Sequence, residues 1–284
     1  MESSSVKTAP DKIVIEEKEA CLRVLMRQME SVLVAYSGGV DSAYVALIAT
    51  QELKEKSLCV TGVSPSLAAA EHQAAIALAK KFSFNHETLH TDELANPDYQ
   101  ANAPNRCYFC KSELYGKLAP LAATHGLEYV VDGSTTDDLS DFRPGRRAAQ
   151  ENKVRSPLIE AGLSKDEIRE LSRRHNLPTW DKPASPCLSS RIAYGIPVSI
   201  EKLGKVERGE AILREMGLRV FRVRYHDELV RLEIAPDEME RVLQKATVDK
   251  LAERFRALGF RYVTLDLHGF RSGAMNESLK KDEG

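Results

Sequence analysis

The stretch that most constrains this chain is Val32-Leu33-Val34-Ala35-Tyr36-Ser37-Gly38-Gly39-Val40-Asp41-Ser42. An apolar run enters a Ser-Gly-Gly turn, and Ala43 to Leu53 reads as a helix, so the pattern is strand, tight turn, helix. Glycine tolerates positive φ, which lets the turn bend sharply. The bend aims several backbone N–H groups at one point at a helix N-terminus, a place suited to an anion. This is not the Gly-x-x-x-x-Gly-Lys-Ser/Thr loop, because no lysine follows the glycines and the loop is too short. Asp41 fits two jobs, acceptor at the helix start or magnesium ligand. The plainer alternative is an ordinary strand–turn–helix corner.

Around this stretch the chain alternates. Ile13 to Glu30 places Leu22, Leu25, Met26 and Met29 at helical spacing, with Cys21 read as a packed thiol. A second apolar run, Leu58 to Val63, holds Cys59 as a core residue and ends in Ser64-Pro65-Ser66. The helix Ala68 to Lys81 and a weaker strand at His86 to Leu89 follow. Strand–helix alternation predicts an α/β fold, a parallel sheet covered by helices, in which ligands bind beyond the carboxyl ends of the strands. The Ser37 loop, Ser64-Pro65-Ser66 and His90-Thr91-Asp92 occupy such ends, and Ser64 is a further nucleotide-binding candidate.

After a polar connection at 96–106 comes Cys107-Tyr108-Phe109-Cys110-Lys111, then a helix to about Thr124. The strand Tyr129-Val130-Val131 ends in Asp132-Gly133-Ser134-Thr135-Thr136-Asp137-Asp138, suited to a nucleotide edge or a metal. Phe142 to Arg155 holds Arg143, Arg146, Arg147, Lys153 and Arg155, and reads as a solvated basic loop or one that closes over phosphates. Ser164 and Glu167 form a capping box for a helix to about His175. Asn176 to Arg191, with Pro178, Pro183, Pro186 and the only tryptophan, Trp180, reads as a rigid irregular loop.

Composition shifts after Gly195-Ile196-Pro197. The expected division is a flexible tail at 1–12, a nucleotide-binding domain at 13–195, a smaller C-terminal α+β domain at 196–270 and a second tail at 271–284. In the α+β part, Ser199 to Met216 is a helix and a hairpin turns at His226-Asp227-Glu228. Helices at Pro236 to Gln244 and Val248 to Leu258 precede a last strand at Tyr262 to Leu267.

The 284 residues suffice for one large or two ordinary domains. A net charge of -2 gives no electrostatic reason to expect nucleic acid as the main partner. The start lacks the apolar core of a signal peptide, and no run reaches the roughly 18 apolar residues of a membrane span. Five cysteines, an odd number, argue against a disulfide framework and for the cytoplasm.

Cys107 and Cys110 form a Cys-x-x-Cys pair, and Cys187 sits in the proline-rich loop. Together they offer three thiolates for a metal or cluster. Zinc would want a fourth ligand, with His90 and His125 as candidates, whereas a [4Fe–4S] cluster would leave one iron open. A redox pair is a third reading. Arg222 and Arg224 share one strand face, as do Arg231 and Glu233 on the partner strand. That set is either a cross-strand salt-bridge ladder or a pair of arginine forks for a phosphate.

The Ser-Gly-Gly-x-Asp-Ser loop resembles that of the pyrophosphate-loop (PP-loop) ATPases, which grip the β- and γ-phosphates while chemistry occurs at the α-phosphate. Taken with Cys107-Tyr108-Phe109-Cys110-Lys111, Gly133-Ser134-Thr135-Thr136-Asp137-Asp138 and Pro186-Cys187-Leu188-Ser189-Ser190-Arg191, it resembles one family over about residues 15–272. That family is the LarE-type ATP-dependent sulfur transferases, which mature the nickel-pincer nucleotide cofactor of lactate racemase. The resemblance implies adenylylation of the carboxylates of pyridinium-3,5-biscarboxylic acid mononucleotide, then displacement of AMP by sulfur.

By the same resemblance Ser37, Gly38, Gly39, Asp41 and Ser42 hold ATP and Mg2+, and Lys111 meets developing negative charge. Arg222 and Arg224, with Ser190 and Arg191, hold the substrate. Cys187 matches a cysteine that single-cysteine members sacrifice, leaving dehydroalanine. Cys107 and Cys110 depart from that pattern and resemble the three-cysteine subtype, in which all three hold a [4Fe–4S] cluster carrying the donated sulfide. The family also implies a homo-oligomer and hand-over of the product to a nickel-inserting enzyme. Rival readings are a PP-loop tRNA thiolase, an amide-forming synthetase, and a non-catalytic nucleotide sensor with structural zinc.

Overall fold

The computed structural model describes residues 12–139, 144–271 and 273–275. The expected tails lie almost wholly outside the described residues, as do Phe142 and Arg143 of the basic stretch. In chain order the elements are α1 (Lys12–Met29), β1 (Val32–Ala35), α2 (Val40–Leu53), β2 (Ser57–Val63), α3 (Ala69–Lys81) and β3 (His86–His90). Next come α4 (Pro97–Gln100), α5 (Arg106–Thr124), β4 (Tyr129–Val131), α6 (Pro144–Glu151), α7 (Pro157–Glu160) and α8 (Lys165–Arg174). The last group is α9 (Ile200–Glu215), β5 (Phe221–His226), β6 (Leu229–Ile234), α10 (Pro236–Val242), α11 (Lys245–Ala257) and β7 (Tyr262–Leu265).

The chain forms two compact units, each discontinuous in sequence. The first takes the chain up to Val63, Ala69–Thr91 and Cys110–Ala184; the second takes Ser64–Ala68, Asp92–Phe109 and the chain from Ser185. A single cut after residue 195 therefore differs from the division the contacts make. The reason is hydrogen bonding that a linear reading does not show. Within the second unit Leu188 N donates to Ser66 O at 2.8 Å and Val198 N to Gln100 O at 2.8 Å. The buried Asn102 amide donates to the carbonyls of Ile192, Ala193 and Ile196.

In the first unit the strands run in the order β3-β2-β1-β4, all parallel. The central β1 carries Val32, Leu33 and Val34, all fully buried. Residues Ala43 to Ala49 of α2 are also all buried, so this helix is apolar all round and must be covered on every side. α1 and α8 supply that cover, α1 through Leu22, Met26 and Met29. Cys21 is exposed rather than packed, because it falls one residue off that face and so about 100° around the helix. Cys59 is buried in β2, as expected.

The basic stretch is not a loop throughout: Pro144–Glu151 is the helix α6. Proline opens it, Ala148 and Ala149 turn inward, and Arg147 pairs with Glu151 one turn on at 2.8 Å. The capping box forms as read, with Glu167 N donating to Ser164 Oγ at 3.4 Å and Ser164 N to Glu167 Oε2 at 2.8 Å.

The second unit carries a sheet in the order β5-β6-β7. β5 and β6 form the antiparallel hairpin, turning through Asp227 at φ 54°. β7 joins β6 in parallel after α10 and α11.

Candidate active site

The first unit builds an anion loop from backbone constraints. Gly38 has φ 70°, and a Cβ there would lie 2.7 Å from Ala75 Cβ, so α3 backs the loop closely. Gly39 is the N-cap of α2 with φ -79° and ψ 172°, leaving the first N–H groups of α2 without intrahelical acceptors. Ser37 Oγ and Ser42 Oγ lie 3.0 Å apart, and Gly39 N donates to Ser37 Oγ at 3.4 Å. A Cβ on Gly133 would sit 2.8 Å from Ser42 N, so the end of β4 presses on the first turn of α2.

Charge is arranged around this turn. Burial pushes the Asp41 carboxyl up to about 6; Lys165 and Arg169 pull it down, while Asp138 and Asp137 push it further up. Lys165 Nζ pairs with Asp138 Oδ1 at 2.9 Å. Lys182, from the irregular proline-rich stretch, donates to Gly38 O at 3.2 Å and pairs with Glu71 at 2.7 Å. Sequence reading missed Lys165, Arg169 and Lys182, since only the fold brings them to a loop far away in the chain.

Lys111 is held as a cation. The Tyr115 hydroxyl, then Asp132 and Cys110, push its pKa above the ordinary lysine range against the opposing effect of burial. Its Nζ lies 5.2 Å from the centre of the Tyr115 ring. Tyr115 OH donates to Asp132 Oδ2 at 3.1 Å, and the hydroxyls of Ser134 and Ser156 each donate to Asp132 at 2.8 Å. Asp132 immediately precedes the Gly133 that presses on α2, so the lysine network at the end of β4 adjoins the anion loop at the end of the neighbouring β1.

The second unit gathers the cysteine loop and the arginines. Arg191 is buried, with Nε donating to Glu210 at 2.8 Å and Nη1 to Cys187 O at 3.0 Å and to Pro186 O. It pins the turn that presents Cys187. Arg224 pairs with Glu233 at 2.8 Å and donates to Ser190 O at 3.1 Å. Arg222 lies over the Phe270 ring, 4.8 Å from its centre, and burial, then the Arg191 charge, lower its pKa to about 10.

The salt-bridge ladder exists, for Arg231 also lies 3.3 Å from Glu233. In this unit four buried guanidiniums (Arg106, Arg191, Arg222, Arg224) are matched by four buried carboxylates (Glu93, Glu210, Glu233, Glu238). Guanidinium forks are nonetheless the groups suited to a phosphate. Among the described residues the buried Arg224 Nε, Arg231 Nε and His226 Nε2 also have no hydrogen-bond partner.

Also in the second unit, the hydroxyls of Ser64 and Ser66 both donate to the buried Glu93. Arg106 is buried, donating to Asn102 Oδ1 and to Ser189 O at 3.0 Å, and its charge feels the Cys187 and Cys107 thiols. Cys107 is exposed, and Cys110 and Cys187 are half-buried. Among the described residues no three His, Cys, Asp or Glu side chains are grouped to hold a metal ion. Cys107 and Cys187 belong to the second unit, and Cys110 to the first.

Comparison with known proteins agrees with this geometry. The NAD synthase family model matches residues 14–112, the anion loop included. An uncharacterized protein of Synechocystis is 46% identical over 94% of this chain and all of its own length. The pyridinium-3,5-bisthiocarboxylic acid mononucleotide synthase of Lactiplantibacillus plantarum is 35% identical over 93% of this chain and 95% of its own. The chain belongs to the LarE-type family of PP-loop sulfur transferases. Like its family, it is an ATP-using enzyme that transfers sulfur. A tRNA-specific 2-thiouridylase of Syntrophus aciditrophicus is more distant, 27% identical over 67% of this chain and 62% of its own. No helix among the described residues is long and apolar enough to cross a membrane.

Proposed function

We propose that the protein adenylylates the carboxylates of pyridinium-3,5-biscarboxylic acid mononucleotide and replaces the activated oxygen with sulfur, releasing AMP and pyrophosphate. The observation that carries this reading is the match, along nearly the whole chain, to the Lactiplantibacillus plantarum synthase of the bisthiocarboxylic acid product. In this reading Ser37, Gly38, Gly39 and Ser42 cradle the phosphates, with Ser64 at the end of β2. A substrate carboxylate oxygen attacks the α-phosphorus, and the bond to the β-phosphate oxygen breaks. The fixed ammonium of Lys111 faces the negative charge that develops. Mg2+ usually takes one or two carboxylates plus substrate phosphates, and the Asp41 carboxylate beside the loop fits that need. Its chemistry there is charge neutralisation.

Arg222 and Arg224 take the substrate phosphate, with Ser190 beside them and Arg191 holding the loop in shape. Sulfur comes from the cysteine loop by one of two routes. The chemistry of three thiolates suits a [4Fe–4S] cluster on Cys107, Cys110 and Cys187, giving repeated turnover. Such a cluster would supply the donated sulfide from its open iron. The second route spends Cys187 itself: its thiolate bonds to the activated carbon and expels AMP, then the Cα proton is lost to a base as the Cβ–S bond breaks, the electron pair leaving with the thiocarboxylate and dehydroalanine remaining. The same reading places the protein in the cytoplasm as a homo-oligomer that hands its product to a nickel-inserting enzyme.

The test is anaerobic incubation with ATP, Mg2+ and the dicarboxylate nucleotide, followed by mass spectrometry of small molecules and protein. A thiocarboxylate product with AMP supports the reading; thiolated bases formed from tRNA instead would overturn the substrate assignment. Iron and sulfide bound to wild type and lost in Cys187→Ala select the cluster route. Loss of one hydrogen sulfide from the protein mass selects sacrifice.

A further inference from the structure

The Lys182 ammonium lies on the anion loop. It donates to Gly38 O at 3.2 Å, at the residue whose φ of 70° shapes the turn. It also pairs with Glu71 at 2.7 Å, in the first turn of α3, the helix that backs Gly38. Its approach is fixed from behind, because Arg169 donates to Trp180 O at 2.6 Å and to Lys182 O at 2.9 Å. The backbone of the irregular stretch is thus clamped while the lysine tip rests on two acceptors, one a neutral carbonyl. A lysine ammonium has three donors on a flexible stem and is a compact point charge.

From this geometry we infer that Lys182 is a catalytic residue for adenylylation. It transfers from Gly38 O and Glu71 to the β,γ-phosphates of ATP and neutralises the pyrophosphate as it leaves. Glu71 is a positioning residue that holds the ammonium in readiness and competes with the phosphates for it. The inference rests on the reading that the Ser37–Ser42 loop binds ATP. When the α-phosphorus to bridging-oxygen bond breaks, the electron pair goes to pyrophosphate. A cation already at the loop stabilises that charge more than it stabilises bound ATP.

The experiment uses the full chain. Trp180, the only tryptophan, is 41% exposed and two residues from Lys182, so its fluorescence reports nucleotide binding. Substrate-dependent exchange of labelled pyrophosphate into ATP reports the chemical step. Lys182→Met is expected to slow exchange by about 100-fold, as removal of one preorganised charge donor does, while AMP affinity is unchanged. Lys182→Arg recovers most of the rate. Glu71→Gln tightens ATP binding severalfold, and that gain disappears in the Glu71→Gln/Lys182→Met double variant. A brace that merely supports the loop would instead lose ATP and AMP affinity together, and Glu71→Gln would weaken binding. That result, or wild-type exchange in Lys182→Met, overturns the inference. Wild type that binds no ATP at all would remove the loop reading itself, and the role of Lys182 with it.

Discussion

Gly38 and Gly133 constrain the same turn for different reasons, and substitution separates them. Alanine at 38 must adopt φ 70° with its Cβ 2.7 Å from Ala75. Gly38→Ala is therefore expected to cost about 1–3 kcal/mol of stability and to abolish ATP binding, read by thermal melting and by Trp180 fluorescence. Gly133 has no positive φ, but its added Cβ would meet backbone, Ser42 N at 2.8 Å, which cannot swing aside. Gly133→Ala should lower pyrophosphate exchange more than it lowers the melting temperature, because the displaced part is the first turn of α2. At Arg224 the issue is charge. Glu233 is fully buried and Arg224 is its partner at 2.8 Å. Arg224→Met leaves Glu233 only the half-buried Arg231 at 3.3 Å and should destabilise by about 1–3 kcal/mol, by denaturant melts. Arg224→Met/Glu233→Met should recover much of that loss, while substrate affinity stays lost.

At the scale of elements, α1 is tied to α8 by several ion pairs, Lys18 with Glu167 at 2.7 Å and Glu16 with Arg174 at 3.5 Å among them, and the Glu19 carboxylate at the C-terminal end of α8 is the pH-sensitive one. Glu19 Oε1 lies 2.9 Å from His175 Nε2 and accepts from Arg23 Nη2 at 2.6 Å. His175 first, then Arg23, lower its pKa from 4.5 to about 2 against the cost of burial. The folded value lies below the unfolded one, so this stabilisation is complete above about pH 4.5 and is lost as pH falls towards 2. Melting curves of wild type and Glu19→Gln should differ at neutral pH and converge through that window. The elements themselves were largely legible in the sequence, because an apolar run, a Ser-Gly-Gly turn and a capping box are local signals. α6 was not legible, since its arginines masked the Ala148-Ala149 face. Nor were Lys182 on Gly38 O or Ser66 and Glu93 beside the cysteine loop, whose pairings join segments far apart in the chain. Alternation placed Arg222 and Arg224 on one strand face and Glu233 on the partner strand, but not the buried Glu210 of α9, which pairs with Arg191.

For the whole molecule, the proposed reading places most of the two half-reactions' groups in different units. The anion loop, Asp41, Lys111 and Lys182, which that reading gives to phosphate chemistry, belong to the first, although Ser64 lies in the second and Cys110 in the first. The Cys187 loop and the buried arginines belong to the second. Activation requires no sulfur, whereas transfer requires the activated acyl group, so the dependence runs one way. Cys187→Ser changes a single atom in a loop still held by Arg191 through the Cys187 and Pro186 carbonyls. It is expected to keep substrate-dependent pyrophosphate exchange near the wild-type rate while forming no thiocarboxylate. Lys111→Met, which removes the half-buried cation whose charge Asp132 and Tyr115 stabilise, should lose both, because without acyl-adenylate the cysteine loop has nothing to attack. Measuring exchange and thiocarboxylate on the two variants side by side checks the order of the half-reactions. If Cys187→Ser lost exchange as completely as Lys111→Met, the cysteine loop would be needed for activation itself, and sulfur transfer would no longer be a separate second step.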